Sequence, residues 1–234
     1  MRTLQTQAVI LAAGLGTRLG KPWPKPLTPL QSGQTIMRRA VDALRRHDPN
    51  TRVTAVVGFK LDLVIEEMPD ISFVYNELYD RTNTSKSLLK ALEQSFDGGV
   101  LWMNGDVVFD PRVLDIVREH IDSGQSFVCV NTASVAEEEV KYTLGETGMI
   151  KELSKTVVGG LGEAVGINYI AAADKPALIA RLRECDDQDY FERGLEVAIE
   201  RDGLLVEAVD ISAFQVVEVD FEDDLSRANT FVSE

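Results

Sequence analysis

Residues 8–30 read AVILAAGLGTRLGKPWPKPLTPL: an apolar run, a glycine loop, then four prolines among basic residues. The run has the continuous apolar character of a strand buried on both faces. Pro22, Pro24, Pro26 and Pro29 each remove a backbone donor and disfavour helix in the residue before, so no helix starts directly after the strand. Two familiar phosphate loops are excluded. The dinucleotide fingerprint needs a third glycine three residues after Gly16, where Leu19 stands. A P-loop ending at Gly20 and Lys21 needs glycine at 15 and Ser or Thr at 22, where Leu15 and Pro22 stand. What remains is a strand ending in a glycine loop, continued by a stiff, basic, extended segment. Consecutive N–H groups in such a loop form an anion nest, and glycine lets the backbone approach a ligand closely. Arg18, Lys21 and Lys25 add positive charge. The loop suits a triphosphate, with basic side chains at its reacting end. Lys25, placed before Pro26, is expected to be extended.

The rest of the chain alternates. Strand-like runs at 52–58, 71–76, 99–109 and 126–132 are separated by helical spacing at 35–46, 61–68, 84–96 and 112–121. Asp110 followed by Pro111 reads as the cap and first turn of the last of these helices. This alternation predicts a three-layer αβα, Rossmann-like α/β fold with a mainly parallel sheet. After about residue 131 the pattern changes to a hairpin turning at 145–148, a strand at 164–174 and an amphipathic helix at 189–202. Two further strands and a closing helix at 221–232 follow. The reading is one domain over 1–234, with a nucleotide-binding half to about 131. The second half, about 132–234, carries a small β-rich insertion and completes the site on the acceptor side. In open α/β sheets ligands sit at the carboxyl ends of the strands. The stretches 12–25, 58–59, 75–87 and 104–106 should therefore converge.

The formal net charge of −14 disfavours nucleic acid and anionic membranes as partners. The basic loop is a local exception to that field. Cys129 and Cys185 show neither metal spacing nor a disulfide framework, which fits a reducing cytoplasm. Residues 1–7 are polar, so no leader is read there, and no apolar run is long enough for a membrane span.

The chain's two histidines, His47 and His120, lie near predicted helix ends and read as structural. Catalysis must then work without a histidine base. Phosphate chemistry can, because a phosphate monoester with a second pKa of about 6 is already a nucleophile at neutral pH. It needs charge neutralisation, a metal and alignment. Asp106 ends the most apolar strand, and Asp110 already serves as a cap, so Asp106 reads as a metal ligand. Asp220 ends another strand but precedes a helix. Metal ligand and N-cap, with Asp223 completing a capping box, stand level. Thr82 or Asn83 is equally open as a helix cap or a reader of a base edge.

The stretch AVILAAGLGTRLG…PKPL resembles the signature of the sugar-nucleotide and cytidylyl nucleotidyltransferase superfamily. YNELYDRTNTSKSLLKALE followed by GDVVFD, then AVGINYIAAAD, DYFERGLEVAI and FQVVEVDFEDDL, resembles its phosphocholine cytidylyltransferase branch. Related enzymes use aminoethylphosphonate or inositol phosphate. The resemblance implies that an acceptor phosphate or phosphonate attacks the α-phosphorus of an NTP, CTP in this branch, and pyrophosphate leaves. By that resemblance Lys25 and Arg18 are catalytic, and Asp106 and Asp220 hold Mg2+. Leu11, Ala12, Ala13, Gly14, Gly16, Thr17, Asn76, Thr84 and Ser85 bind the nucleotide. A choline headgroup needs aromatic faces; Tyr75, Tyr79, Tyr190 and Phe191 are available, with Tyr169, Tyr190 and Phe191 the candidates on the acceptor side. Glu163, with Asp187 and Asp189, is positioned for an ammonium or sugar hydroxyls instead. Lys21 matches nothing in the family. A nucleotide-binding module with a dead site should have lost Lys25 or an aspartate, and all are present.

Overall fold

The computed structural model describes residues 6–232 apart from 134 and 136–138. Strand β1 (Gln7–Ala12) is buried along its whole length. It is followed by α1 (Ile36–His47), β2 (Arg52–Val57), α2 (Leu61–Glu67), β3 (Ser72–Tyr75), α3 (Thr84–Glu93) and β4 (Val100–Asn104). Then come β5 (Val107–Phe109), α4 (Val113–Ser123), β6 (Phe127–Asn131), the hairpin β7 (Lys141–Leu144) and β8 (Ile150–Ser154), and β9 (Glu163–Ile170). The chain continues through α5 (Lys175–Glu184), α6 (Phe191–Asp202), β10 (Glu207–Asp210), β11 (Val216–Glu218) and α7 (Glu222–Val232). The main sheet runs β10-β6-β9-β4-β1-β2-β3, with β9 antiparallel to both its neighbours and the other pairs parallel.

The period-2 rule sorts β1 between two cores. Ala8, Ile10 and Ala12 pack with residues of α1, α2 and α4. Val9 and Leu11 pack with residues of α3, α5 and α6 on the other face. These are the two outer layers of a three-layer fold with a mostly parallel mixed sheet. The hairpin β7–β8 is the β-rich insertion and joins the sheet through β9. A third, smaller core ties Leu19 and Leu30 of the loop region to Val108, Val217, Val219 and Ala228. It clamps the C-terminal elements against the segment that carries Lys25.

The structure departs from the sequence reading at four points. The run at 99–109 is two strands: the chain turns at Gly105 and Asp106, and β5 leaves the main sheet to pair antiparallel with β11. The bounds of helix α5 were not drawn from the sequence, and Cys185, expected within a helix, stands at its C-cap. Asp110 does accept from the Arg112 N–H at 2.9 Å, but α4 starts only at Val113. Lys25 is not extended. It opens a 3-10 turn, Lys25–Leu27, in which Leu27 N–H donates to Pro24 O and Thr28 N–H to Lys25 O. The extended residue is Pro24, with ψ of 135°.

Candidate active site

The carboxyl ends of β1 and β4 open into a cleft of about 520 Å³. One wall is the glycine loop, from Leu11 and Ala12 through Gly14, Gly16 and Arg18 to Lys25. Gly16 has φ of +59°, and a Cβ there would lie 2.8 Å from that of Lys25. Glycine is what lets the loop fold back onto the lysine.

Lys25 is almost enclosed, its side chain 10% exposed. Its Nζ donates to Asp106 Oδ2 and to Asp220 Oδ1, both at 2.6 Å. Arg18 donates to the other Asp220 oxygen at 3.0 Å. Backbone contacts hold this cluster in place: Gly105 N–H donates to Leu11 O, and Val219 N–H donates to Asp106 O. Burial opposes the charge on Lys25, but the Asp106 and Asp220 carboxylates outweigh it and hold the ammonium above its ordinary value. Burial likewise opposes charge on Asp220, yet Lys25 and Arg18 keep its carboxyl below the usual range. The second oxygen of Asp106, Oδ1, is buried without a hydrogen-bond partner among the described residues.

Deeper in the cleft stands a second set of acids that sequence reasoning missed. Glu218 sits two residues before Asp220 on β11 and meets Asn104 Nδ2 at 3.5 Å. Gly166 of β9, with φ of +69°, makes its room, since a Cβ there would lie 2.6 Å from Glu218 Oε1. Burial first, then the charge of Asp106, pushes the Glu218 carboxyl well above its ordinary value. Glu192, in the first turn of α6, is 8% exposed, and its Oε2 has no hydrogen-bond partner among the described residues. Burial pushes its carboxyl up to about 7. Tyr190 lies beside them, with the Lys155 ammonium 4.9 Å from its ring centre.

Three of the four expected stretches reach the cleft. The exception is 58–59, which supports it from behind: Phe59 N–H donates to Ala13 O, and Gly58 packs under Tyr79. Ala13 itself is core and off the cleft wall. Thr84 lines the cleft and accepts from Phe191 N–H at 3.0 Å. Asn76 and Ser85 do not line it; both are fully buried. Asn76 bonds Thr82, Ser87 and the Leu78 N–H, and so shapes the loop rather than facing a ligand. Asn83 caps α3, accepting from Thr84 N–H. The side chain of Thr17 lies outside the described residues.

On the acceptor side Tyr190 and Phe191 line the cleft. Phe191 is buried, with its ring T-stacked on Trp102 at 5.6 Å between centres. Tyr169 is a correction. It shares the inward face of β9 with Val165 and Ile167, stacks on Phe127 at 5.6 Å, and packs under Gly99 away from the cleft. Glu163 starts β9 opposite Asn131 and Lys141 and is not on the cleft wall. Neither histidine reaches the cleft: His47 faces Asp115 and His120 faces Glu207. Lys21 pairs with Glu222 of α7.

A model of the MobA-like NTP transferase domain matches residues 8–196. The chain belongs to this nucleotidyltransferase family. Among curated relatives, the bifunctional protein GlmU of Prochlorococcus marinus (strain MIT 9313) is 32% identical over 133 residues, 55% of this chain and 29% of that protein. The CMP-5'-(3-aminopropyl)phosphonate synthase of Streptomyces rubellomurinus is 38% identical over 118 residues, 47% of this chain and 18% of that protein. The chain thus spans less than a third of the curated relatives it matches. The CTP:phosphocholine cytidylyltransferase of Streptococcus pneumoniae has the same fold, with a TM-score of 0.76 at 18% identity over 98% of this chain and 100% of that one. Among the described residues no helix is long and apolar enough to cross a membrane.

Proposed function

We propose that this MobA-like domain joins CTP to a small phosphorylated or phosphonate acceptor, releasing pyrophosphate. The observation that carries the reading is Lys25 Nζ held at 2.6 Å from both Asp106 and Asp220 beside the glycine loop. The two carboxylates, with the orphaned Asp106 Oδ1, fit a hard divalent cation such as Mg2+, which takes one or two protein carboxylates and completes its shell with water and phosphate. When bound, that ion supplies charge neutralisation at the α-phosphate. The protein's own part is positioning. The loop N–H groups and Arg18 hold the triphosphate, and Lys25 stands at its reacting end. The acceptor oxygen forms a bond to the α-phosphorus as the bond to the β-phosphate oxygen breaks. Both reactants are anions, so a cation between them lowers the barrier where charge accumulates.

For the acceptor, Glu192 and Glu218 beside Tyr190 favour a positively charged end such as that of phosphocholine or an aminoalkylphosphonate. The likeness to the aminopropylphosphonate synthase supports both this and CTP. The similarity to GlmU favours a second reading, a sugar 1-phosphate with another NTP. A panel of five NTPs against phosphocholine, aminoethylphosphonate, inositol phosphate and sugar 1-phosphates, read by pyrophosphate release, separates them. Turnover only with UTP, GTP or dTTP and a sugar phosphate would overturn the first reading.

A further inference from the structure

We propose that Lys25 and a divalent cation compete for one place between Asp106 and Asp220, so that metal binds well only when a triphosphate draws the lysine aside. The proposal rests on the metal role argued above for the two aspartates.

The geometry supports this directly. Lys25 Nζ is equidistant, at 2.6 Å, from one oxygen of each carboxylate, and so stands between the two groups that a shared ion would bind. Asp220 uses its other oxygen for Arg18. The cluster of two carboxylates, one ammonium and one guanidinium is therefore already neutral. A divalent ion arriving beside both cations meets repulsion in a poorly screened pocket. A triphosphate reverses that balance by offering both cations another anion. The exchange needs no loop movement. The Lys25 backbone is fixed by the 3-10 turn and by Gly16 against its Cβ, while its four-carbon stem lets the ammonium swing. The glycine loop lines the same cleft as Lys25. By linkage, the nucleotide must raise metal affinity as much as the metal raises nucleotide affinity.

The test is Mn2+ binding without nucleotide, followed by electron paramagnetic resonance of the free ion. Wild type is compared with Lys25→Met and with Lys21→Met, which removes a charge from the same segment but one paired with Glu222 at the rim. Lys25→Gln, which keeps a donor for the carboxylates, is the second variant should Lys25→Met not fold. Removing Lys25 should tighten Mn2+ by about tenfold or more, within the usual range of coupling between sites. Lys21→Met should stay within about twofold of wild type, as expected for a solvent-screened charge. Adding α,β-methylene-CTP should tighten Mn2+ more in wild type than in the Lys25 variants. Equal affinity in wild type and both Lys25 variants, or an equal gain in Lys21→Met, overturns the competition while leaving the metal site standing. No Mn2+ binding in any arm, with or without the analogue, overturns the metal reading as well.

Discussion

Asp224 accepts hydrogen bonds from the N–H groups of both Asp220 and Phe221, at 3.1 and 2.8 Å. The start of α7 is thus capped from inside the helix by the residue four positions on. Asp220 is relieved of the duty its position suggests, and its carboxylate turns to Lys25 and Arg18. Asp224→Ala should cost about 1 kcal/mol of stability, as loss of a cap does, and should also lower turnover although Asp224 is off the cleft wall. Asp224→Asn keeps the acceptor and should restore most of both. Urea unfolding beside steady-state rates reads the pair; an Asp224→Ala protein with normal kcat would show that Asp220 is held without it.

Lys25→Met should lower the single-turnover rate by about a hundredfold or more, the scale for removing one preorganised electrostatic group. Nucleotide affinity by calorimetry should fall far less, since the loop N–H groups and Arg18 remain. Lys25→Arg should rescue poorly, because a planar fork does not replace a compact ammonium between two carboxylates. A variant that loses CTP binding but keeps its saturated rate would reduce Lys25 to a triphosphate grip.

Asp106→Asn and Asp220→Asn should each abolish turnover and Mn2+ binding with the fold intact by circular dichroism. Asp220→Asn also loses the charge that pairs with Arg18, so triphosphate binding without metal should weaken less in it than in an Arg18→Ala protein. Near-normal turnover in Asp220→Asn would return that residue to a role in α7 alone.

Glu192 gives a pH signature. Its carboxyl is at about 7 in the folded protein against an ordinary 4.5. The folded state therefore binds more protons than the unfolded one between those values, and stability falls as pH rises through that window before levelling off. Glu192→Gln removes its share of the fall and leaves that of Glu218, whose carboxyl is also raised. At pH 8 the variant should be more stable than wild type by about 3 kcal/mol, and near pH 4 the two should agree. Urea unfolding at both pH values is the measurement; parallel curves for the two proteins would mean that Glu192 is ionised in the fold throughout.

The order of strands and helices was legible because β1, β4 and β6 are apolar runs that only a buried sheet accommodates. The meeting of the glycine loop with Asp106 was legible because both lie at the carboxyl ends of strands in an open α/β sheet, whereas Asp220 stands level between ligand and helix cap until the family resemblance is counted. What escaped did so for local reasons. Helix α5 buries only Leu178 and Leu182, too thin a stripe to register as a period. Its remaining signal was Asp174 ahead of Pro176. Glu192 stands in the first turn of α6, a common place for an acid, and Glu218 ends the three-residue strand β11. Their burial depends on partners far along the chain. Tyr169 was the opposite case: the alternation Val165, Ile167, Tyr169 marks one face of a strand, and that face is core. Lys25 escaped the pre-proline rule because tertiary clamping of the loop selects a turn over the locally favoured extended form.

The ion pair between Lys25 and Asp220 spans 195 residues of sequence. On a ribosome adding about 5–20 residues per second, the lysine waits about 10–40 seconds for its second aspartate. Asp106 is made well before then, and the sheet strands β1, β2 and β4 can already pair. The Lys25 cluster is thus among the last parts of the molecule to close, and a chain halted short of β11 lacks one of its two aspartates. The lysine meets its second carboxylate only when the polypeptide has returned to its own beginning.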